Sequence, residues 1–196
     1  MDRILNLYDG LYRRYGPQHW WPAETPYEVI LGAVLTQNTA WPNVEKAIAN
    51  LKQANALDPN NIIEMEENRL KALIRPSGFY NQKAERLKII TNWYSENSGN
   101  ARSMDRMKLR ERLLEIRGIG KETADSIILY AFEKPIFVVD AYTRRFCGHH
   151  NLMEEGDYDD YRLMFEDAIG LKAKVFNEYH ALIVAWGKEN KQYQKT

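Results

Sequence analysis

From Leu113 to Asp140 the chain reads LLEIRGIGKETADSIILYAFEKPIFVVD, a Gly-x-Gly turn followed twenty residues on by an aspartate that closes an apolar run. Gly118 and Gly120 can take backbone angles denied to other residues and leave no side chain between peptide and ligand, so a phosphate can come close. Thr123, Ala124, Ile127, Ile128 and Ala131 then recur at helical spacing. That spacing predicts a helix whose first amides, unpaired within the helix, point toward any bound anion. Arg117 and Lys121 flank the turn with positive charge. A plain corner between two helices fits the Gly-x-Gly pair as well, since glycine is common where helices meet. Asp140 follows Phe137, Val138 and Val139 and precedes the helical pattern of Tyr142 and Phe146, which places it at a helix N-terminus. An aspartate there is ordinarily an N-cap, worth about 1 kcal/mol. It can also be a desolvated carboxylate that steadies a cation or accepts a proton, and the two roles are compatible.

Trp20, Trp21 and Pro22 precede one predicted helix and Trp41 opens the next, so three of the five tryptophans fall close together. An indole face attracts a cationic ring by roughly 1 to 2 kcal/mol more than a neutral one. A core or staple role is equally open for Trp21. Cys147, His149 and His150 crowd three ligand types into four residues but lack a fourth donor and separated-pair spacing, so no metal site is expected.

These residues need a scaffold, and the dominant period along the chain is helical. Thr25, Pro26 and Glu28 supply an N-cap, a first-turn proline and a capping-box acid for a helix facing a core with Val29, Ile30, Ala33 and Val34. Pro42 and Asn43 start another, with Val44, Ala47, Ile48 and Leu51 as its apolar stripe. A later helix carrying Leu70, Leu73 and Ile74 is predicted to end near Arg75-Pro76. The stretch Asn97 to Asn100 is predicted to break the chain again. The run IFVVD has no second comparable run to pair with, so it is expected to be extended loop. The fold class is therefore all-α. Its 196 residues, 44% hydrophobic, suffice for a substantial core, as one compact unit or two interleaved lobes. No apolar run approaches a membrane span, no signal-peptide pattern opens the chain, and the single cysteine fits a reducing compartment, so a cytoplasmic location is expected. Net charge is zero but unevenly spread. Seven basic residues (Arg102, Arg106, Lys108, Arg110, Arg112, Arg117, Lys121) face three acidic ones between Ala101 and Lys121, whereas acids dominate from Met153 to Asp167. The basic segment leads into the turn and the acidic one should face away from nucleic acid, although either run could be a solvated helix face.

The chain resembles the helix-hairpin-helix DNA glycosylases of the endonuclease III superfamily. The resemblance covers nearly all of it, through WWPAETPYEVILGAVLTQNTAW (Trp20 to Trp41), RPSGFYNQKAERL (Arg75 to Leu87), the hairpin, and WGK (Trp186 to Lys188). The WWP, LTQNT, PSGFYNQKA and GIGKE strings are most similar to the 3-methyladenine DNA glycosylase III group. The resemblance implies a two-lobed fold, with residues 23–133 as an inserted helical lobe carrying the hairpin and residues 1–22 plus 134–196 as the second, the active site lying in the cleft between them. No iron–sulfur cluster is expected, because the region after the last helix reads KENKQYQKT where many relatives place four cysteines.

By resemblance, Asp140 supports cleavage of a glycosidic bond, where positive charge grows on the sugar and water must be aimed at C1′. Gly118, Ile119, Gly120, Lys121 and Thr123 grip DNA, with a monovalent cation as a further occupant of the hairpin. Trp20, Trp21, Pro22 and Trp41 line the base pocket. Gln37 fills the gap left by an extruded base and Phe79 wedges between bases, as apolar side chains do in DNA-bending proteins. Relatives with lyase activity carry an amine two residues after the second hairpin glycine. Here that position is Glu122, and Lys121 beside it is turned by about 100°, which implies hydrolysis by water without strand cleavage. The WGK lysine, Lys188, approaches the base pocket in that group, where carbamylation would reverse a charge that otherwise repels a cationic base; its other reading is a cation at a helix C-terminus. The expected activity is release of alkylated purines such as 3-methyladenine from double-stranded DNA by a monomer, nucleoid-associated if the source is bacterial, with no other cofactor. A glycosylase for deaminated, mismatched or oxidised neutral bases, and a non-catalytic hairpin module that holds DNA for a partner, are the competing readings.

Overall fold

A computed structural model of the chain describes residues 2–190, except for the side chain of Asp2. The last six residues of KENKQYQKT, 191–196, lie outside the described residues. Among those described there is no strand, and the helices are α1 (Asp2–Tyr15), α2 (Pro26–Leu35), α3 (Trp41–Gln53), α4 (Pro59–Glu64), α5 (Glu67–Ile74), α6 (Tyr80–Ser103), α7 (Arg106–Leu114), α8 (Lys121–Ser126), α9 (Ala141–His149), α10 (Tyr158–Ile169) and α11 (Ala173–Glu189). A single 3₁₀ turn follows α5 at Arg75–Ser77, and α8 runs on into a π turn at Ile127–Ala131. The described residues fall into two compact units, 23–127 and 2–22 with 128–190. No helix among them is long and apolar enough to cross a membrane.

In the 23–127 unit, α2 is buried from Tyr27 to Leu35 and forms the centre against which α3 and α6 pack. Thr25 caps it, its hydroxyl accepting from Glu28 N at 3.1 Å. Glu28 departs from a strict capping box: its carboxylate takes the Glu24 amide at 3.0 Å and pairs with Lys52 at 2.9 Å. At the other end Lys83, 1% exposed, donates to Leu35 O (2.8 Å), Thr39 Oγ1 (2.7 Å) and Ser77 O (2.7 Å). One ammonium thus closes the C-terminus of α2 and fastens the LTQNT segment to the turn after α5. The predicted break at Asn97 to Asn100 does not occur. The 24-residue α6 runs through it to Ser103 because Ala101 is wholly buried beyond the polar stretch and Asn97 turns its amide back onto Trp93 O at 2.9 Å, within its own helix.

The two helices of the hairpin, α7 and α8, are joined by a buried bidentate pair, with Arg110 Nε to Asp125 Oδ1 at 2.7 Å and NH2 to Oδ2 at 3.2 Å. Arg110 belongs to the basic segment, yet its guanidinium is enclosed and neutralised, so it is no part of a surface field.

The other unit packs α1, α9, α10 and α11 around Phe137, Phe165, Phe176 and Tyr179, with Phe137 and Phe165 stacked at 4.0 Å. Ile136 to Val139 form no strand, as expected for an isolated apolar run. Two side chains of α10 accept from its amides instead: Phe137 N donates to Glu166 Oε1 at 3.1 Å and Val139 N to Tyr158 Oη at 3.2 Å. Glu166 is itself buried and paired with Arg162 at 2.9 Å. Part of the acidic run is therefore internal framework for the segment that ends at Asp140. Gly187 lets α11 approach α9, since a Cβ there would collide with the Tyr142 ring.

Candidate active site

Asp140 is the N-cap of α9. Its Oδ1 accepts from Thr143 N at 2.7 Å and from Thr143 Oγ1 at 3.0 Å, which fixes one edge of the carboxylate. The other edge, Oδ2, faces His180 Nε2 across 3.5 Å, and the side chain stays 17% exposed. Burial pushes this carboxyl upward, but His180 and the two Thr143 bonds outweigh it and hold the group below its ordinary value. Asp140 is consequently ionised throughout the neutral range. Behind it, His180 Nδ1 lies 2.6 Å from the Tyr130 hydroxyl. Burial, and then the nearby Asp140 charge, push that phenol well above its ordinary value. The Tyr130 ring lies 5.2 Å from the Trp21 ring, which in turn meets Trp20 at 5.0 Å. An aromatic wall thus runs from the WWP segment to the neighbour of the carboxylate, all within one unit. Trp20 and Trp21 are half-buried and Pro22 is exposed.

His180 and Tyr130 escaped the sequence reading. Both fall on helical apolar stripes, His180 beside Phe176, Tyr179 and Ile183, so the period shows that they face inward. A buried histidine needs a partner, and that was the available signal.

The hairpin occupies the other unit. Gly118 has φ +87°, and a Cβ there would fall 2.5 Å from Arg86 Nε, so both backbone angle and packing require glycine. Gly120 is the N-cap of α8 and, having no side chain, supplies no side-chain cap. Gly118, Gly120, Lys121 and Glu122 are exposed, whereas Ile119 and Thr123 turn their side chains inward. Gln37 reaches the hairpin with its whole amide: Nε2 donates to Gly118 O at 3.1 Å and to Thr123 Oγ1 at 3.0 Å, and Oε1 accepts from Arg86 at 2.5 Å. In this arrangement Gln37 braces the hairpin. Phe79 is 62% exposed with φ +45°, directly before α6. A large apolar residue held outward at a left-handed angle is unusual. Trp41 is half-buried at the first position of α3, and Lys188 is exposed in the last turn of α11. Among the described residues no three metal-ligating side chains converge; Cys147 is enclosed, burial raising its thiol to about 12 against a smaller lowering by Arg144.

Residues 31–169 match the model of the HhH-GPD superfamily of base excision DNA repair proteins. The chain is 49% identical over 189 residues to a Methanocaldococcus jannaschii protein provisionally named DNA repair glycosylase MJ1434, covering 93% of this chain and 86% of that one. Among solved structures it is similar to the Helicobacter pylori 3-methyladenine DNA glycosylase MagIII bound to 1,N6-ethenoadenine, with TM-score 0.84, 33% identity, and coverage of 95% of this chain and 97% of that one. A non-covalent endonuclease III–DNA complex shares the fold at TM-score 0.81 and 18% identity, over 95% and 85% of the two chains. The all-helical architecture, the Gly-x-Gly hairpin and the helix-capping Asp140 thus stand together in a chain that belongs to the HhH-GPD superfamily of base excision DNA repair proteins, as one of its DNA glycosylases.

Proposed function

We propose that the protein excises alkylated purines of the 3-methyladenine type from duplex DNA by hydrolysis alone. The observation that carries this reading is the state of Asp140, an ionised carboxylate beside an aromatic wall. A neutral base must take up a proton as it leaves or depart as an anion, and an ionised Asp140 neither gives that proton nor steadies that anion. A purine alkylated on a ring nitrogen is already cationic, departs without that proton, and stacks favourably on electron-rich indoles such as Trp20, Trp21 and Trp41. Asp140 then has two tasks: to offset the positive charge growing on the sugar and to accept a proton from the attacking water. The ethenoadenine bound by the H. pylori relative supports a pocket for modified adenine.

Gly118, Gly120 and Lys121 meet the DNA backbone in this reading, with Ile119 and Thr123 anchoring the loop from within. Phe79 enters the base stack, and Gln37 reaches the vacated space after giving up its bonds to the hairpin. Hairpin carbonyls are oxygen donors suited to a hard monovalent cation, and Gly118 O keeps a lone pair beyond the one Gln37 uses. Lys188 is the candidate for carbamylation through its neutral amine; a Lys188→Ala variant with unchanged release activity would remove it from the site. The setting is the cytoplasm.

A release assay on dimethyl-sulfate-treated, uracil-containing and mismatched duplexes tests the proposal. Methylated purine should be freed and strand breaks should appear only after alkali. Uracil or mismatch release without methylpurine release, or a covalent adduct trapped by borohydride, would overturn it.

A further inference from the structure

His180 is 7% exposed, and its Nε2 has no hydrogen-bond partner although it lies 3.5 Å from Asp140 Oδ2. A buried polar atom left unpaired is uncommon and costly, so its position needs a reason. The only hydrogen bond of the ring is to Tyr130 at Nδ1, 2.6 Å, and the Tyr130 hydroxyl has no other partner among the described residues. If Nδ1 carried the only ring proton, the Tyr130 O–H would be left without an acceptor and the Nε2 lone pair would confront a carboxylate. If Tyr130 donates to Nδ1, its proton is satisfied and Nε2–H points at negative charge. The second arrangement satisfies both groups.

We propose that Tyr130 and His180 are positioning residues for Asp140, a relay in which the Tyr130 hydroxyl sets the proton on His180 Nε2 and that N–H steers the Oδ2 edge of the carboxylate. This rests on Asp140 being the catalytic carboxylate. Thr143 occupies Oδ1 with two bonds, so Oδ2 is the edge free to address water or sugar. A movement of a few tenths of an ångström brings Oδ2 within hydrogen-bond reach of Nε2. Because Tyr130 also packs on Trp21, the residue that orients His180 forms part of the wall that the base meets. The groups facing the carboxylate are Thr143 from α9 and His180 from α11, with Tyr130 of the π turn behind His180, while Tyr158 of α10 holds the neighbouring Val139 N.

Two measurements test the relay separately from the reading beneath it. On the free protein, long-range ¹⁵N–¹H NMR of the histidine rings should find the proton on Nε2 of His180, and Tyr130→Phe should erode that preference. ¹³C titration of the Asp140 carboxyl should show its midpoint moving to higher pH in His180→Gln, because burial is then less opposed. An unprotonated Nε2, or an Asp140 midpoint unmoved by His180→Gln, overturns the proposal. With methylated duplex, single-turnover release should fall by up to roughly a hundredfold in Tyr130→Phe and His180→Gln, the size typical when a reacting group is misplaced. The acid limb of the His180→Gln profile should shift upward. Wild-type rates and profiles in both variants, alongside an inactive Asp140→Asn, sink the relay alone. An active Asp140→Asn sinks the catalytic assignment, while the NMR result still judges the proton placement.

Discussion

At the scale of single residues, Asp140 caps α9 and, in the proposed function, also carries a chemical duty, and substitution can separate the two. Asparagine caps a helix about as well as aspartate, so Asp140→Asn should retain most of the stability while base release falls by roughly 10² to 10⁴. Asp140→Ala should lose the cap too, at about 1 kcal/mol in urea unfolding. The pH dependence follows from the depressed carboxyl. Unfolded Asp140 binds its proton first as pH falls, so its contribution is complete above about 3.9 and disappears as pH drops through the lower folded value. Urea midpoints measured from pH 5 down to 3 should therefore fall less steeply in Asp140→Asn than in the wild type. Asp140 was legible in the sequence because its signal is local, an apolar run before a helical pattern. The partners of Gln37 and His180 lie 81 and 50 residues away, at Gly118 and Tyr130, and no local pattern links them.

Among the elements, the hairpin's shape depends on charge pairs that the sequence presents only as scattered ions. Arg110 and Asp125 join its two helices with side-chain exposures of 8% and 0%. Removing one partner strands a buried charge, so Asp125→Ala should cost on the order of 3 to 5 kcal/mol, and the Arg110→Met/Asp125→Leu pair much less. A double-mutant cycle in urea measures both. Lys83 gives a different signature. Burial, and then Arg86, lower its ammonium to about 8, whereas the unfolded side chain titrates near 10.4. The unfolded state therefore holds more protons between those values, and this site's contribution to stability rises with pH across that window. Lys83→Met should flatten that rise. At pH 7 it should also lower the melting temperature by roughly 5 to 10 °C, as Leu35 O, Ser77 O and Thr39 lose their shared donor. The caps of α2 and α9 were readable from short motifs. The persistence of α6 through Asn97 to Asn100 was not, because buried Ala101 decides it by tertiary contact.

For the whole molecule, a net charge of zero conceals how little of the formal charge is available to a polyanion. Arg110 is enclosed, Arg117 pairs with Glu85 at 2.9 Å, and Arg112 stands 3.8 Å from Glu115. The acidic run is divided likewise, with Glu166 buried inside its unit. The count of basic residues before the hairpin therefore overstates the field there, whereas Gly118 and Gly120 lie exposed. Counterion release makes the distinction measurable. Each phosphate neutralised by a surface cation adds about 0.9 to the slope of log affinity against log salt concentration. Lys121→Ala should reduce that slope by about one unit and weaken binding to damaged and undamaged duplex alike. Arg110→Met should leave the slope as it is under conditions where the variant remains folded, since its guanidinium contributes no surface charge to a phosphate. Equal slope losses for the two variants would mean that the arginine leaves Asp125 when DNA binds, and that the hairpin opens its own staple to take hold of the strand.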